Sequence, residues 1–306
     1  MAYVNVENWT PTKKSKMILD RAFEHIKSVP YKVSARWVFY RLLQDGIYTK
    51  KSDYKNTFIG LTSRARHSGY WSPDLLADET REAVIYEPEG TNKPNPDIEE
   101  QIHYARFNAK REYQFLENRY LNYEYNHDYQ IDPTWYLDNI TVVMFEARAM
   151  KDQFKRYAKD LTLCPFGGQP SIPYKYELAK YLEDQKEHYN KPMLVLYFGD
   201  YDEAGQTIFN TAREDIGKWC EYEINWQFCG LTKEQAIYYQ IPENIDHKGF
   251  QWEALNDSQA KEIITSSIKK YTDIEKAKRK AIHESREIRI QVNEIINQEL
   301  KGDGPE

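Results

Sequence analysis

Two short stretches hold the residue types best suited to chemistry. Val195-Leu196-Tyr197-Phe198 is an apolar, strand-like run that ends in Gly199-Asp200-Tyr201-Asp202-Glu203-Ala204-Gly205, followed by a helix-type segment over 206–219. It delivers two carboxylates, one residue apart, at a strand end. Upstream, Ile140-Thr141-Val142-Val143-Met144-Phe145 is a second apolar run, and it ends in Glu146. Ligands of open parallel sheets lie beyond the carboxyl ends of the strands. Oxygen donors with no lysine beside them suit Mg²⁺, with Mn²⁺ as the alternative. Glu146, Asp200 and Asp202 are therefore the candidate metal ligands, and Glu203 is a candidate outer ligand. A divalent cation there would stabilise charge on a phosphoryl group under in-line attack. An isolated Asp-x-Asp reads instead as solvated loop carboxylates capping the next helix. The pairing of two strand ends favours the metal.

A second candidate is Tyr40, within Ser34-Ala35-Arg36-Trp37-Val38-Phe39-Tyr40. Residues four apart share a helix face, so Arg36 is expected over Tyr40, away from the Phe39–Leu42 stripe. A tyrosine with the usual pKa near 10 is a poor nucleophile at neutral pH. A neighbouring guanidinium, and a metal supplied by another module, would favour the phenolate. The chain has 25 tyrosines, and residue logic alone makes a packing role the commoner one.

The elements that must position these residues follow from periodicity. Residues 1–85 read as three short helices and a wing. The first spans 13–27. The second runs from an N-cap at Ser34 to Gln44 and closes at Asp45-Gly46. The third is capped by Ser52, with Tyr54, Phe58, Leu61 and Ala65 as its apolar stripe. Its polar side offers Lys55, Thr62, Arg64 and Arg66 as DNA contacts, and Tyr70-Trp71-Ser72-Pro73 begins an aromatic wing. Helix, helix, polar-faced helix and wing is a helix-turn-helix pattern. Residues 86–136 read as a turn-rich linker (87–95) and a long charged helix (97 to 125). Within 137–255, strands at 140–145, 161–163, 193–198 and 223–228 alternate with helices, which argues for a parallel α/β sheet. Residues 256–306 read as a helical extension.

Composition narrows the classes. Net charge is −6, yet residues 1–70 hold 13 Lys/Arg against 5 Asp/Glu, leaving 29 against 43 in the remainder. A basic module joined to an acidic one fits a DNA-binding head on a carboxylate-bearing body. No apolar run approaches the roughly 18 residues of a membrane span, and residues 1–10 do not read as a signal peptide. The three cysteines are too few and too scattered for a disulfide framework or a cysteine zinc site. The expectation is a reduced, cytoplasmic protein.

Ser34-x-Arg36-x-x-Phe39-Tyr40 in a basic helix-turn-helix, followed by a strand-end Glu and then Asp-x-Asp-x-x-Gly, resembles the topoisomerase VI A subunit and its meiotic double-strand-break relatives. The resemblance is closer to the small stand-alone A-like proteins of phages and mobile elements. Asp78-Glu79-Thr80-Arg81, Leu231-Thr232-Lys233-Glu234-Gln235 and Trp252-Glu253-Ala254-Leu255 extend it, and it spans roughly residues 15 to 260. It implies a winged-helix (CAP-like) DNA-binding domain followed by a Toprim parallel-sheet α/β domain and a helical C-terminus. Tyr40 would attack a phosphodiester of double-stranded DNA and form a 5′-phosphotyrosyl link. Arg36 would activate the tyrosine or hold the phosphate, and Glu146, Asp200 and Asp202 would bind Mg²⁺. The resemblance also implies a homodimer with composite sites, and a separate ATPase subunit for directed strand passage. This chain has no phosphate-loop motif. It follows Glu146 with Ala147-Arg148 where close relatives carry Lys-Asp, and its Gly167-Gly168-Gln169-Pro170-Ser171 loop differs from the family's turn near the metal. Two alternatives remain: a Toprim hydrolytic nuclease that does not use Tyr40, and a DNA-binding module with a vestigial site.

Overall fold

The computed structural model describes residues 9–30, 32–77, 85–87, 92–115, 129–146, 150–243 and 249–302. A four-stranded, all-parallel sheet lies at its centre, formed by β1 (Ile140–Phe145), β2 (Thr162–Pro165), β3 (Met193–Phe198) and β4 (Ile224–Phe228) in the spatial order β2-β1-β3-β4. Every residue of β1 and β3 is buried, as expected of parallel strands covered on both faces. Side chains alternate between two cores. Val143, Phe145, Leu196 and Phe198 face α5 (Lys151–Tyr157), α8 (Lys233–Tyr238) and α9 (Asp257–Tyr271). Val142, Met144, Val195 and Tyr197 face α6 (Ile172–Tyr189) and α7 (Glu203–Trp219). The chain leaves β1 for β2 on one side and returns to β3 on the other. The β1/β3 pair is therefore the point where strand order reverses, which is where open parallel sheets place their ligands.

The N-terminal helices are α1 (Lys13–Lys27), α2 (Ala35–Gln44) and α3 (Ile59–His67). Thr12 and Ser34 cap the first two by accepting backbone N–H bonds from Ser15 and Trp37. Leu19, Val38, Phe39, Leu42, Phe58 and Ala65 fill the core between them. A buried polar cluster ties this head to the sheet body. Asp215 of α7 receives the ammonium of Lys175 from α6, and its carboxylate lies 3.1 Å from His67 Nε2 of α3. Lys218 Nζ donates to the His67 carbonyl at 2.7 Å. Finally, α10 (Ile274–Gly302) lays Ala281, Ile288, Val292 and Ile296 against Ile102 and Ala105 of α4 (Ile98–Phe115). Among the described residues no helix is long and apolar enough to cross a membrane.

Several expectations need correction. The third head helix is not capped by Ser52: it opens with a π-helical turn at Tyr54–Phe58, preceded by Asp53, which makes no side-chain cap. Thr62 and Arg66 do not face solvent. Both are buried, with the Thr62 hydroxyl donating to the Ile59 carbonyl and Arg66 Nε donating to the Thr62 carbonyl. Lys55 and Arg64 are exposed. Trp71 is not a wing residue: it packs into the head core, and its N–H donates to the Ala65 carbonyl. The second strand begins one residue later and ends two later than its periodicity suggests. The C-terminal helix is two helices, broken at Thr272-Asp273. Asp78-Glu79-Thr80-Arg81, Ala147-Arg148 and the stretch expected to be helical over 116–125 lie outside the described residues.

Candidate metal centre

The site is built from the ends of β1 and β3. Parallel pairing puts Phe145 beside Phe198, so the next residues, Glu146 and Gly199, leave the sheet together. The Glu146 N–H donates to the Phe198 carbonyl at 3.0 Å, and its own carbonyl accepts from Gly168 at 2.8 Å. The Gly167-Gly168 turn, with φ of 69° and 85°, is thereby fixed beside the site. Glu146 Oε2 accepts the Asp200 N–H at 3.1 Å. Asp200 Oδ1 accepts the Trp252 N–H at 2.7 Å, and Asp202 Oδ1 caps α7 by accepting the Gly205 N–H at 2.7 Å. The cap expected of an ordinary loop aspartate is thus present in Asp202, inside an acidic cluster that extends beyond it.

Small residues make this approach feasible. A Cβ on Gly199 would stand 2.8 Å from Glu146 Oε2, and one on Gly205 would stand 2.5 Å from the Asp200 carbonyl oxygen. Gly230, after β4, lies so close that a Cβ there would come within 2.4 Å of the Gly199 nitrogen. The strand ends are therefore packed backbone to backbone around the carboxylates.

The electrostatics are unfavourable to negative charge. Burial pushes the Glu146 carboxyl up to about 7, and the charges of Asp200, Asp202 and Glu253 push in the same direction, against the lowering effect of the Asp200 N–H bond. Burial, with the Glu146 and Asp200 charges, also raises the Tyr197 phenol. The Tyr197 hydroxyl is fully buried and has no hydrogen-bond partner among the described residues. Glu253 and Tyr197 were not identified as site residues by sequence reasoning. Glu253 sits in the Trp252–Ala254 turn that Asp200 anchors, within a segment noted only for its family likeness. Tyr197 lies inside an apolar run, and strand alternation gives it no chemical signature.

Among the described residues, no three His, Cys, Asp or Glu side chains already surround one metal position. All three candidate ligands point a carboxylate oxygen at a backbone N–H group instead. The surroundings nonetheless suit a hard divalent cation. The donors are oxygens, the charges of Asp200, Asp202 and Glu253 press on Glu146, and the buried Tyr197 hydroxyl lacks a partner among the described residues. Glu146, Asp200 and Asp202 are the residues that would hold it.

Tyr40 is not part of this cluster. It lies on α2, edge-on to Phe39 with ring centroids 6.4 Å apart, and is 47% exposed. The Arg36 guanidinium lies 5.7 Å from the centre of the Tyr54 ring, facing a cleft between the head and the sheet body. The charges of Asp200 and Asp202 act on Glu146, and among the described residues Tyr40 makes no contact with these acids. No protein-family model matches the chain, and no curated protein matches it.

Proposed function

We propose that this protein is a Mg²⁺-dependent DNA-cleaving transesterase of the topoisomerase VI A type, with a winged-helix head and a Toprim body, acting as a homodimer. The observation that supports it most is the convergence of Glu146, Asp200 and Asp202 at the strand-order reversal of a parallel sheet, around glycines that admit no side chain. The Tyr40 oxygen attacks a DNA phosphorus, the bond to the 3′-oxygen breaks, and that oxygen leaves as a 3′-hydroxyl once protonated. The product is a 5′-phosphotyrosyl link, and the phenol proton passes to solvent. Arg36 holds the phosphate near Tyr40. The cation, when bound, neutralises charge on the phosphoryl oxygens. Because Tyr40 is exposed and apart from the acids of its own chain, it reacts in the acid site of a second copy.

The separation of Tyr40 from the acids also favours a second reading. In it the acid site alone supports hydrolysis, and water takes the place of the tyrosine. A covalent-adduct assay separates the two. Purified protein is incubated with supercoiled plasmid and Mg²⁺ or Mn²⁺, stopped with detergent, and run with and without proteinase. Cut DNA that enters the gel only after proteolysis, and is lost in Tyr40→Phe, supports the transesterase. Free-ended cuts that survive Tyr40→Phe but not Asp200→Ala identify a nuclease. No cutting with either metal sinks both readings and leaves a DNA-binding role.

A further inference from the structure

The two edges of the sheet differ. At β2 the outer edge is covered, because Tyr86 and Leu163 exchange backbone hydrogen bonds at 2.9 and 2.8 Å. At β4 the outer edge is bare. The Cys229 N–H donates to the Tyr197 carbonyl at 2.7 Å, and backbone groups alternate sides along a strand, so those of Asn225 and Gln227 also face β3. The N–H and C=O groups of Ile224, Trp226 and Phe228 therefore point outward, and they have no partner among the described residues. An open cavity of about 630 Å³ flanks the start of this edge, with Arg213, Tyr222, Glu223 and Trp226 in its wall.

Proteins that keep an edge unpaired blunt it with a lysine, a proline or a bulge. Ile224-Asn225-Trp226-Gln227-Phe228 contains no charge, proline or glycine. The strand is also self-complementary. Its three outward-facing residues are centred on Trp226, so a second β4 can run antiparallel to it with the two Trp226 residues opposite each other. Ile224 then faces Phe228 of the second copy, and each facing pair exchanges two N–H···O bonds. Asn225 faces Gln227, amide against amide. One step further, Glu223 faces Cys229 of the second copy. Lys270 stands close enough to Cys229 for its charge to act on that thiol, so the acid of one copy meets the ammonium of the other. Both side chains are exposed.

We propose that β4 is the surface through which two copies of this chain join, edge to edge and antiparallel. The pairing makes one continuous sheet from two four-stranded ones. Its two-fold axis stands perpendicular to the sheet, so equivalent faces stay on the same side. Helices α6 and α7, and the basic heads tied to them through Asp215, then lie on one side of the joined sheet, where a single duplex can meet both. The choice of a second copy as occupant rests partly on the proposed function, which needs one, and otherwise on the self-complementary register.

Sedimentation velocity of the full chain over the micromolar range, without DNA, tests the surface. A monomer–dimer equilibrium is expected. Glu223→Lys and Lys270→Glu each set like charges against each other and should weaken dimerisation about tenfold, and the double reversal should recover the wild-type affinity. Asn225→Cys supplies a geometric check. Its two thiols occupy diagonal positions about 7–8 Å apart, within reach of a short bismaleimide, while the native cysteines are buried. It should give a covalent dimer, and Arg156→Cys, exposed on α5, should not. A monomer at every concentration overturns the proposal and leaves the edge to a strand of another protein. A dimer indifferent to both charge reversals, with no cross-link through residue 225, also overturns it, because the copies then join elsewhere. A dimer that meets these expectations while Tyr40→Phe still cuts DNA keeps the surface and removes the transesterase. A Tyr40-dependent adduct from copies joined elsewhere does the reverse.

Discussion

The Glu146 carboxylate accepts the backbone N–H of Asp200 at 3.1 Å, so the ends of β1 and β3 are joined through an acid that burial drives to a pKa of about 7. Its value in an unfolded chain is near 4.5. Between those values the folded protein binds the extra proton, so this group favours folding fully below pH 4.5, and that contribution is lost as pH rises through 7. A divalent cation must displace the same proton. The expected result is that Mg²⁺ raises the melting temperature more at pH 8 than at pH 6, and that Glu146→Gln flattens the difference. Equal Mg²⁺ shifts at both pH values in the wild type would refute this coupling.

The glycines around the site make a sharper test of its packing. In Gly230→Ala the new methyl would meet the Gly199 backbone at 2.4 and 2.5 Å, and backbone cannot swing aside as a flexible side chain does. A loss of about 1–3 kcal/mol is expected, together with loss of metal-dependent activity. Gly217 provides the contrast. It lies in α7 with nothing within 4 Å of an added Cβ, so Gly217→Ala should be neutral or stabilise by up to about 1 kcal/mol. Urea unfolding of the two variants, read side by side, checks both.

The strands of the sheet body were legible because their apolar runs are long and bounded, and β1 and β3 fall at the residues their pattern predicts. The acids at their ends were legible for the same reason, since a strand end fixes where the next residue lies. Periodicity does not report which partner lies across an interface. Thr62 and Arg66 carry polar labels on a helix whose polar side was expected to face solvent, but both are buried and bond to carbonyls of their own helix. Trp71 looked like a wing because aromatic and proline residues cluster there, yet its indole fills the head core. Glu253 reached the acid site only through the Trp252 N–H bond to Asp200, a contact made across 52 residues of chain.

Among the described residues a buried network of His67, Lys175 and Asp215 ties the head to the body, and its energetics are predictable. Burial alone would raise the Asp215 carboxyl, but the His67 hydrogen bond and the Lys175 charge hold it below the usual range. Lys175→Met leaves a carboxylate 4% exposed without its ammonium partner, and a loss of about 3–5 kcal/mol is expected. Asp215→Leu strands the lysine and should cost a similar amount. The double variant replaces an ion pair with apolar volume and is expected to fall well short of the sum of the single losses. Additive losses in chemical denaturation would show that the two residues act separately.

The exposure of Tyr40 leads to a complementation experiment. Tyr40→Phe should unfold like the wild type, because its hydroxyl is not part of the head core, and Asp200→Asn should lack the carboxylate that the cation needs. Each protein alone is expected to give no covalent adduct. In a symmetric dimer whose sites combine the tyrosine of one copy with the acids of the other, a mixed dimer holds one site with both defects and one with neither. Mixing and re-equilibrating the two inactive proteins should therefore restore cleavage of one strand only, giving nicked but not linear plasmid carrying a protease-sensitive adduct. If tyrosine and acids acted within the same chain, every site in the mixture would keep one defect and no nicks would return. Plasmid electrophoresis after detergent and proteinase distinguishes the two arrangements.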